Sequence, residues 1–245
     1  MAPHLAPEDG ASTETQPTGK TDGRRSAAAA RRRAREAEII AATRQLFDER
    51  GVRDAQIEDI ARAVGINRAI VYRHFTGKEE IFALTLVDYL EELRAALVAA
   101  DAGVLDQRSA GATERLGAVV GAFVEYGVGH PAFVDCAQAL MRRRGPELFD
   151  EISESAMFRL GRAMTGAMAP VRQILEDGKA SGDFRVADPA LLTNLFYGSG
   201  LGALQLAHVG LSVAEASPGV PTVGTISAEQ VREHLVRSAI ALAQA

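Results

Sequence analysis

A short run of the chain carries polar side chains of the kinds that proteins use to hold DNA. Asn67, Arg68, Tyr72 and Arg73 fall within seven residues, and His74 follows directly. An arginine guanidinium can donate two hydrogen bonds to the edge of a guanine, and a tyrosine hydroxyl commonly donates to a phosphate oxygen. The chemistry that these residues predict is binding of a polyanion.

Two short helices with a tight turn between them are predicted to position these side chains. Gly65 can adopt the left-handed backbone that ends a helix, and the Asn67 side chain can accept a hydrogen bond from the N–H groups that open the next one. The second helix has a length that suits the DNA major groove, so the pattern predicts a helix-turn-helix. The first helix has apolar residues at the i, i+3, i+4 and i+7 spacing of one face, namely Ile57, Ile60, Ala61 and Val64.

The exposed face of the second helix is predicted to read the bases. An arginine on this face can bind a guanine edge, and an isoleucine side chain can contact a thymine methyl group. The alternative is that both arginines hold only phosphates, which gives affinity without sequence preference. The predicted face comprises Asn67, Arg68, Ala69, Ile70 and Arg73.

This segment resembles the DNA-binding segment of the tetracycline-repressor (TetR) family of bacterial regulators, over about residues 34 to 82. The chain departs from the family pattern at Ala55-Gln56 and at Ile70, where family members often carry threonine or serine. The resemblance rests on Ile60-Ala61, Val64-Gly65-Ile66, Val71-Tyr72-Arg73-His74-Phe75 and Lys78-Glu79-Glu80-Ile81-Phe82.

The resemblance implies further contacts with the DNA backbone. Tyr72 and Lys78 match family positions that contact phosphates, and His74 lies beside them in the sequence. Gln56, at one of the departures, is assigned to the same DNA-binding surface. We therefore expect a double-stranded DNA operator as the main partner.

Glycines near residue 200 are predicted to serve close helix packing. Ala203 replaces the third glycine of a dinucleotide-binding loop, and the segment has a helical apolar pattern. Gly198 and Gly202 are one helical turn apart and would let another helix approach closely. The resemblance implies that this penultimate helix and the last helix form a four-helix homodimer interface, to which Leu195 and Leu235 are assigned.

The charges of the chain are segregated along the sequence. Residues 24–78 carry a net charge of +6, whereas residues 1–23 carry −3 and residues 79–245 carry −8. A basic segment beside an acidic remainder indicates that polyanion binding is confined to one end of the chain. Arginines near its start either reach the DNA backbone or minor groove, or form a solvated cluster at a helix start. They are Arg24, Arg25, Arg31, Arg32, Arg33 and Arg35.

The apolar patterns predict an all-α protein of about nine helices with no strand. Residues 1–33 are predicted to be a disordered basic arm, because they are polar and lack apolar periodicity. Residues 34–80 are predicted to form a three-helix DNA-binding head. A long helix then joins it to a ligand-binding and dimerisation body over residues 81–245, in which residues 209–227 are predicted to be irregular.

The body is predicted to hold a small, largely apolar effector, such as a lipid, fatty-acyl, steroid-like or aromatic compound. Charged residues are sparse between Leu116 and Gln138, and methionine side chains adapt to irregular cavities. The alternative role of the predicted lining residues is the hydrophobic core. On helices that the family packs around its pocket, these residues are Phe123, Tyr126, Phe133, Met141, Met157, Phe158 and Met164.

We expect no enzyme activity, no cofactor and no metal site. The histidines are not paired one helical turn apart, and Cys136 is the single cysteine. Arg142-Arg143-Arg144 could grip an anionic ligand, but such a run more often is a solvated helix end. No apolar run is long enough to span a membrane, so a cytoplasmic protein without a membrane partner is expected.

The sequence therefore predicts a homodimeric regulator that represses transcription from a palindromic operator until the effector binds. One alternative is a helical small-molecule-binding or catalytic protein with a vestigial DNA-binding head. Against it, the body shows no catalytic constellation and the head retains its basic charges. A second alternative, a DNA-packaging protein without sequence preference, fits poorly with the acidic body.

Overall fold

The computed structural model describes residues 19–106 and 110–245, which form ten α-helices and one β-hairpin. The predicted all-α class is confirmed. The helices are α1 Gly19–Arg50, α2 Ile57–Val64, α3 Arg68–His74, α4 Lys78–Leu105, α5 Ala112–Gly129, α6 Pro131–Met141, α7 Gly145–Glu151, α8 Glu154–Ser181, α9 Pro189–Val209 and α10 Ala228–Gln244, and the strands are β1 Leu211–Ser217 and β2 Val220–Thr225.

Helix α1 begins well before the predicted start of the first helix. Where the sequence predicts disorder over residues 1–33, residues 19–33 are helical. The reason is local composition, since residues 27–30 are all alanine and the arginines that follow are also good helix formers. Residues 1–18 of the predicted arm, and the side chain of Arg24, lie outside the described residues. The stretch up to Ala37 is a unit by itself, and residues from Glu38 onward form one compact unit.

Helices α1 to α3 enclose a small core of their own. Ile39, Phe47, Ile60, Val71 and Phe75 are all buried in it. Phe47 also meets Phe82 of α4 edge to face, with ring centroids 4.9 Å apart. The start of α4 is therefore packed into the same core as the helix-turn-helix, which makes α4 the link to the body.

The body packs around α4, α5 and α8, and its largest buried side chains come from these helices and from α6 and α9. It has one helix more than predicted, because the chain breaks between α7 and α8. Ser153 lies at this break and its hydroxyl accepts a hydrogen bond from the Ala156 N–H at 3.3 Å. This side-chain cap starts α8 as a separate helix.

The prediction that the chain has no strand is wrong for residues 211–225. Strands β1 and β2 pair antiparallel there, with Val213 opposite Val223. The valines and threonines of this stretch favour strands, and Gly219 takes a φ of +81° in the turn that joins them. The density of glycine and proline predicted an irregular loop and concealed this preference.

Candidate nucleic-acid interface

The turn between α2 and α3 is built as the sequence predicts. Gly65 takes a left-handed φ of +71°, and the N–H of Ile66 donates to the Ala61 carbonyl at 2.9 Å. The side-chain oxygen of Asn67 accepts a hydrogen bond from the Ile70 N–H at 3.0 Å. The predicted turn at Gly65 and helix cap at Asn67 are thus confirmed, and the two bonds fix the start of α3 relative to α2.

Helix α3 turns one face to solvent and the other to the core. Arg68, Ala69 and Arg73 are exposed, as is Tyr72, whereas Val71 on the opposite side is fully buried. Ile70 is half-buried, so only part of its side chain is available to a thymine methyl group. The side-chain oxygen of Asn67 is engaged in the helix cap, which leaves its amide N–H groups for a DNA acceptor.

Arg68 is held in place by two neighbours. Its Nη1 lies 2.6 Å from Glu58 Oε1, and its guanidinium carbon lies 5.4 Å from the centre of the Tyr72 ring. Backbone hydrogen bonding, and then the bond from Arg68, lower the pKa of the Glu58 carboxyl. Sequence reasoning missed Glu58. The sequence signal for its role was its position as an acidic residue in the first turn of α2, which the fold brings close to the start of α3.

Two cationic side chains near the end of α3 form no ion pair with any residue that the structure describes. Arg73 is exposed, and Lys78 opens α4 with its Nζ 5.0 Å from the centre of the Phe82 ring. His74 is half-buried beside Phe75, and Gln56 is exposed at the start of α2. These positions give a surface with net positive charge around α3, which suits a phosphate backbone.

The N-terminal part of α1, up to Ala37, carries positive charge of its own. Arg25, Arg31 and Arg33 are exposed, and Arg32 pairs with Glu36 one turn later, with 2.9 Å between Nε and Oε1. Arginines without a fixed protein partner can neutralise phosphates and release counterions.

A polar clamp fastens α1 to α4. The Arg44 guanidinium donates two hydrogen bonds to the Glu92 carboxylate, both at 2.5 Å. The Tyr89 hydroxyl donates to Asp48 Oδ1 at 2.6 Å, and Arg44 lies over the Tyr89 ring at 4.4 Å. Bonding to Arg44 holds the pKa of Glu92 below its ordinary value. The head cannot turn relative to α4 without breaking these bonds.

A second contact joins the head to the α7–α8 segment through the buried carboxylate of Glu80. It accepts from the Thr76 N–H at 2.5 Å and from the Ser153 hydroxyl. The Thr76 hydroxyl lies 2.8 Å from Glu80 Oε2 and 2.8 Å from the Glu151 carbonyl oxygen, so it can donate to one of them at a time. This junction connects Thr76, two residues after the end of α3, to Ser153, the residue that caps α8.

The body contains an apolar cavity of about 80 Å³ between α4, α5, α8, α9 and α10. The residues around it are almost entirely apolar, and they include Leu93, Leu97, Phe123, Met168, Phe196 and Leu242. Met168 and Phe196 were not predicted as lining residues. Met168 lies one helical turn after Met164, and this spacing would have suggested it as a lining residue. The spacing does not indicate which turn of α8 meets α9.

Only one of the seven predicted pocket residues borders this cavity. Tyr126 and Phe133 belong to the core, and the Tyr126 hydroxyl donates to the Tyr89 carbonyl at 2.9 Å. Met157 and Met164 are half-buried, while Met141 and Phe158 are 58% and 66% exposed. Their helices do surround the cavity in part, but the rotation of each helix turns these side chains elsewhere. Of the predicted set Phe123, Tyr126, Phe133, Met141, Met157, Phe158 and Met164, the structure places Phe123 alone at the cavity.

The predicted dimer residues divide into two groups. On α9, a methyl group added at Gly198 or at Gly202 would have no other atom within 4 Å, and Leu195 is exposed. Leu235 of α10 is half-buried and borders the cavity. The exposed face of α9 is thus open to a partner, whereas Leu235 faces the interior of its own subunit.

Two features are absent from the part of the chain that the structure describes. None of its helices has the length and apolar character needed to cross a membrane. Across residues 19–106 and 110–245, histidine, cysteine and carboxylate side chains do not gather in groups of three that could hold a metal ion.

Comparison with known proteins agrees with this architecture. Residues 39–84 match the family described as bacterial regulatory proteins, tetR family. The HTH-type transcriptional regulator SrpR of Pseudomonas putida is 44% identical over 62 residues, which are 23% of this chain and 29% of SrpR. The chain thus matches less than a third of the length of this curated relative.

Solved structures extend the likeness beyond the head. RolR, in complex with resorcinol, is 19% identical with a TM-score of 0.63, over 88% of this chain and 90% of RolR. FadR from Bacillus subtilis, in complex with stearoyl-CoA, is 15% identical with a TM-score of 0.58, over 84% of this chain and 98% of FadR. At these identities the likeness shows a shared fold along most of the chain.

Proposed function

We propose that this chain, a member of the tetR family of bacterial regulatory proteins, is a homodimeric transcriptional repressor that releases a palindromic operator when a small apolar molecule binds. The observation that carries the proposal is the exposed polar face of α3, which the Gly65 turn and the Asn67 cap hold in a fixed position. A helix presented in this way fits the major groove of DNA.

Each side chain of the α3 face has a separate role in the proposal. Arg68 binds a guanine edge, because Glu58 and Tyr72 restrict its guanidinium to one orientation. Tyr72, Arg73 and Lys78 bind phosphates, which fixes the position of α3 along the groove. Sequence preference and general affinity therefore depend on different residues.

The open face of α9 supports the homodimer. Its glycines leave room for a second helix, and its exposed leucines supply apolar area for burial. A two-fold dimer presents two copies of α3 to DNA, which calls for half-sites one helical turn apart, about 34–36 Å between centres. This spacing is the reason for proposing a palindromic operator.

The cavity supports an apolar effector that must open the body to enter. An engineered apolar cavity of about 150 Å³ binds benzene, and the cavity here is about half that size at 80 Å³. Even a single ring therefore has to push the lining helices apart. Resorcinol in RolR and stearoyl-CoA in FadR are examples of an aromatic and an acyl compound held by proteins of this fold.

Helix α4 is the element that carries this movement to the DNA. Leu93 and Leu97 of α4 border the cavity, and Glu92 on the same helix is clamped to Arg44 of α1. An effector that displaces α4 therefore moves the head and changes the separation of the two α3 helices. Operator binding weakens tenfold for about 1.4 kcal/mol of coupling free energy.

The test has two stages. The first is to map the genomic sites that the protein binds and to measure affinity for those sites against scrambled duplexes of equal length at one salt concentration. Equal affinity for both would contradict a regulator and favour a DNA-packaging protein. The second is to measure operator release across a panel of aromatic, acyl and steroid-like compounds alongside sugars, amino acids and nucleotides. Release by the polar compounds alone would contradict the apolar effector.

A further inference from the structure

The hairpin of β1 and β2 carries an uncovered apolar face. Leu211, Val213 and Val223 are 50%, 79% and 68% exposed. Val213 lies directly opposite Val223, so both side chains are on the same face of the hairpin. Glu215 is the single charged residue between positions 211 and 225. Glu215 lies two residues after Val213, on the same face of β1. A surface with these exposed apolar side chains and one charge is a typical site of association.

The hairpin receives little support from its own subunit. Gly210 joins it to the end of α9, and the Ile226 N–H donates to the Gly210 carbonyl at 3.1 Å across its base. All the strand residues except Ser212 are exposed. An isolated two-stranded hairpin is marginally stable in water. A surface that covers the valine face would therefore stabilise the hairpin as well as bind it.

We propose that this hairpin is an arm that packs on the second subunit of a homodimer, beside the contact made by α9. The proposal rests on the homodimer of the proposed function and adds a contact to it. Apolar side chains are exposed in succession at Leu206, Val209, Leu211 and Val213, with no lysine, arginine or carboxylate between them. The apolar face of α9 thus continues into the hairpin. A subunit that packs on α9 therefore lies next to the hairpin.

The length of the hairpin matches this role. A strand of seven residues extends for about 23 Å at 3.3 Å per residue, and a helix with its side chains is about 10–12 Å across. The hairpin can therefore reach over about two packed helices. In a two-fold dimer each hairpin covers the other subunit, so the contact is made twice.

Other occupants fit the hairpin less well. A membrane surface is disfavoured because the hairpin has no lysine or arginine to meet anionic headgroups. An unrelated protein would have to cover a surface that is continuous with the open face of α9. A second copy of the chain covers both surfaces in a single assembly.

Sedimentation of the full chain over a range of concentrations tests the arm. In Val213→Thr/Val223→Thr the side chains keep their size and strand propensity but lose apolar character. We expect the dissociation constant of the dimer to rise by about tenfold or more, since four apolar groups are altered per dimer. The matched control is Ala214→Ser/Thr222→Ser on the opposite face, which should behave as the wild type.

The outcomes separate the arm from the homodimer itself. A wild-type dissociation constant in the threonine variant, or an equal rise in the control, would overturn the arm and leave the homodimer standing. A wild-type chain that stays monomeric at all concentrations would overturn both.

Thiol labelling gives a second measurement that does not depend on destabilising the dimer. Cys136 is fully buried, and burial raises the pKa of its thiol, so a cysteine introduced by Val223→Cys is the one that reacts. We expect this thiol to react with a maleimide about tenfold more slowly at concentrations where the dimer forms than where it dissociates. Thr222→Cys on the opposite face should react at the same rate at both. Equal rates for Val223→Cys at both concentrations would contradict the arm.

Discussion

The exposed faces of α3 and α9 are both open to solvent, but they are held in different ways. The α3 face is polar, and its key side chain, Arg68, is fixed by Glu58 and Tyr72. The α9 face is apolar, and the space above Gly198 and Gly202 is empty. The first is complete in a single subunit, whereas we propose that the second is completed by a partner subunit. Substitutions on α3 should therefore change DNA preference, and those on α9 should change assembly.

The largest effect is expected from Gly198→Leu. A single subunit has room for the new side chain, but a second helix packed closely on α9 would leave no room for it. We expect the dimer dissociation constant to rise by about 100-fold or more while the helical circular dichroism is retained. The control is Gly161→Leu on α8, where an added methyl group would also have no other atom within 4 Å. This variant should leave the dimer intact. An intact dimer in Gly198→Leu by sedimentation would locate the interface elsewhere.

Glu80→Ala tests the junction between the head and the body. The change leaves the Thr76 N–H and the Ser153 hydroxyl without their acceptor in a part-buried place. We expect urea unfolding to show a loss of about 2–3 kcal/mol in the free energy of unfolding. Its neighbour Glu79 pairs with Arg143 near the surface, so Glu79→Ala should cost under about 1 kcal/mol. Equal losses in the two variants would show that the junction adds nothing beyond a surface ion pair.

Arg68→Ala tests whether α3 reads bases. Binding to a set of operators, each with one base pair changed, should lose discrimination by about 10- to 100-fold at a single position of each half-site. Arg62→Ala removes an exposed arginine of α2 that pairs with Asp59, and it should leave the preference unchanged. Uniform weakening on every operator by Arg68→Ala would mean that Arg68 holds only a phosphate.

Removal of residues 1–33 tests the basic arm. It deletes Arg24, Arg25, Arg31, Arg32 and Arg33, so the slope of log affinity against log salt should fall by about 0.9 for each phosphate that is no longer neutralised. Removal of residues 1–18 deletes no lysine or arginine and serves as the control. The same slope in both truncated chains would exclude the arm from the DNA interface.

The smallest effect is expected from Glu58→Gln. The exposed pair with Arg68 adds little to stability, so the unfolding temperature should not change. The released guanidinium should discriminate about two- to threefold less at its base pair, while overall affinity rises because a negative charge leaves the interface. The control is Glu49→Gln on α1, which removes the same charge at a position away from Arg68. A preference that is unchanged in Glu58→Gln would show that Arg68 needs no second residue to orient it.

The sequence predicts the head better than the body, for a physical reason. The Gly65 turn and the Asn67 cap involve bonds between residues at most five positions apart. Such bonds depend on the local sequence alone. Glu58 is ten positions from Arg68, and the two meet only because of the angle between α2 and α3.

In the body, a helical pattern identifies the buried face but not the helix that it meets. Met168 borders the cavity while Phe158, on the same helix, is exposed. Both have the residue type expected in a pocket, and the rotation of α8 against α4 and α9 decides between them. The hairpin was missed for a different reason, since its valines and threonines fall within a stretch whose glycines and prolines are typical of loops.

The small volume of the cavity also has a consequence in time. If the effector enters only when the lining helices separate, its association rate is limited by the fraction of molecules that are open at any moment. Brief pulses of the compound would then pass before many dimers have opened, while a sustained level would reach them all. The regulator would therefore respond to how long a compound persists as well as to how much of it is present.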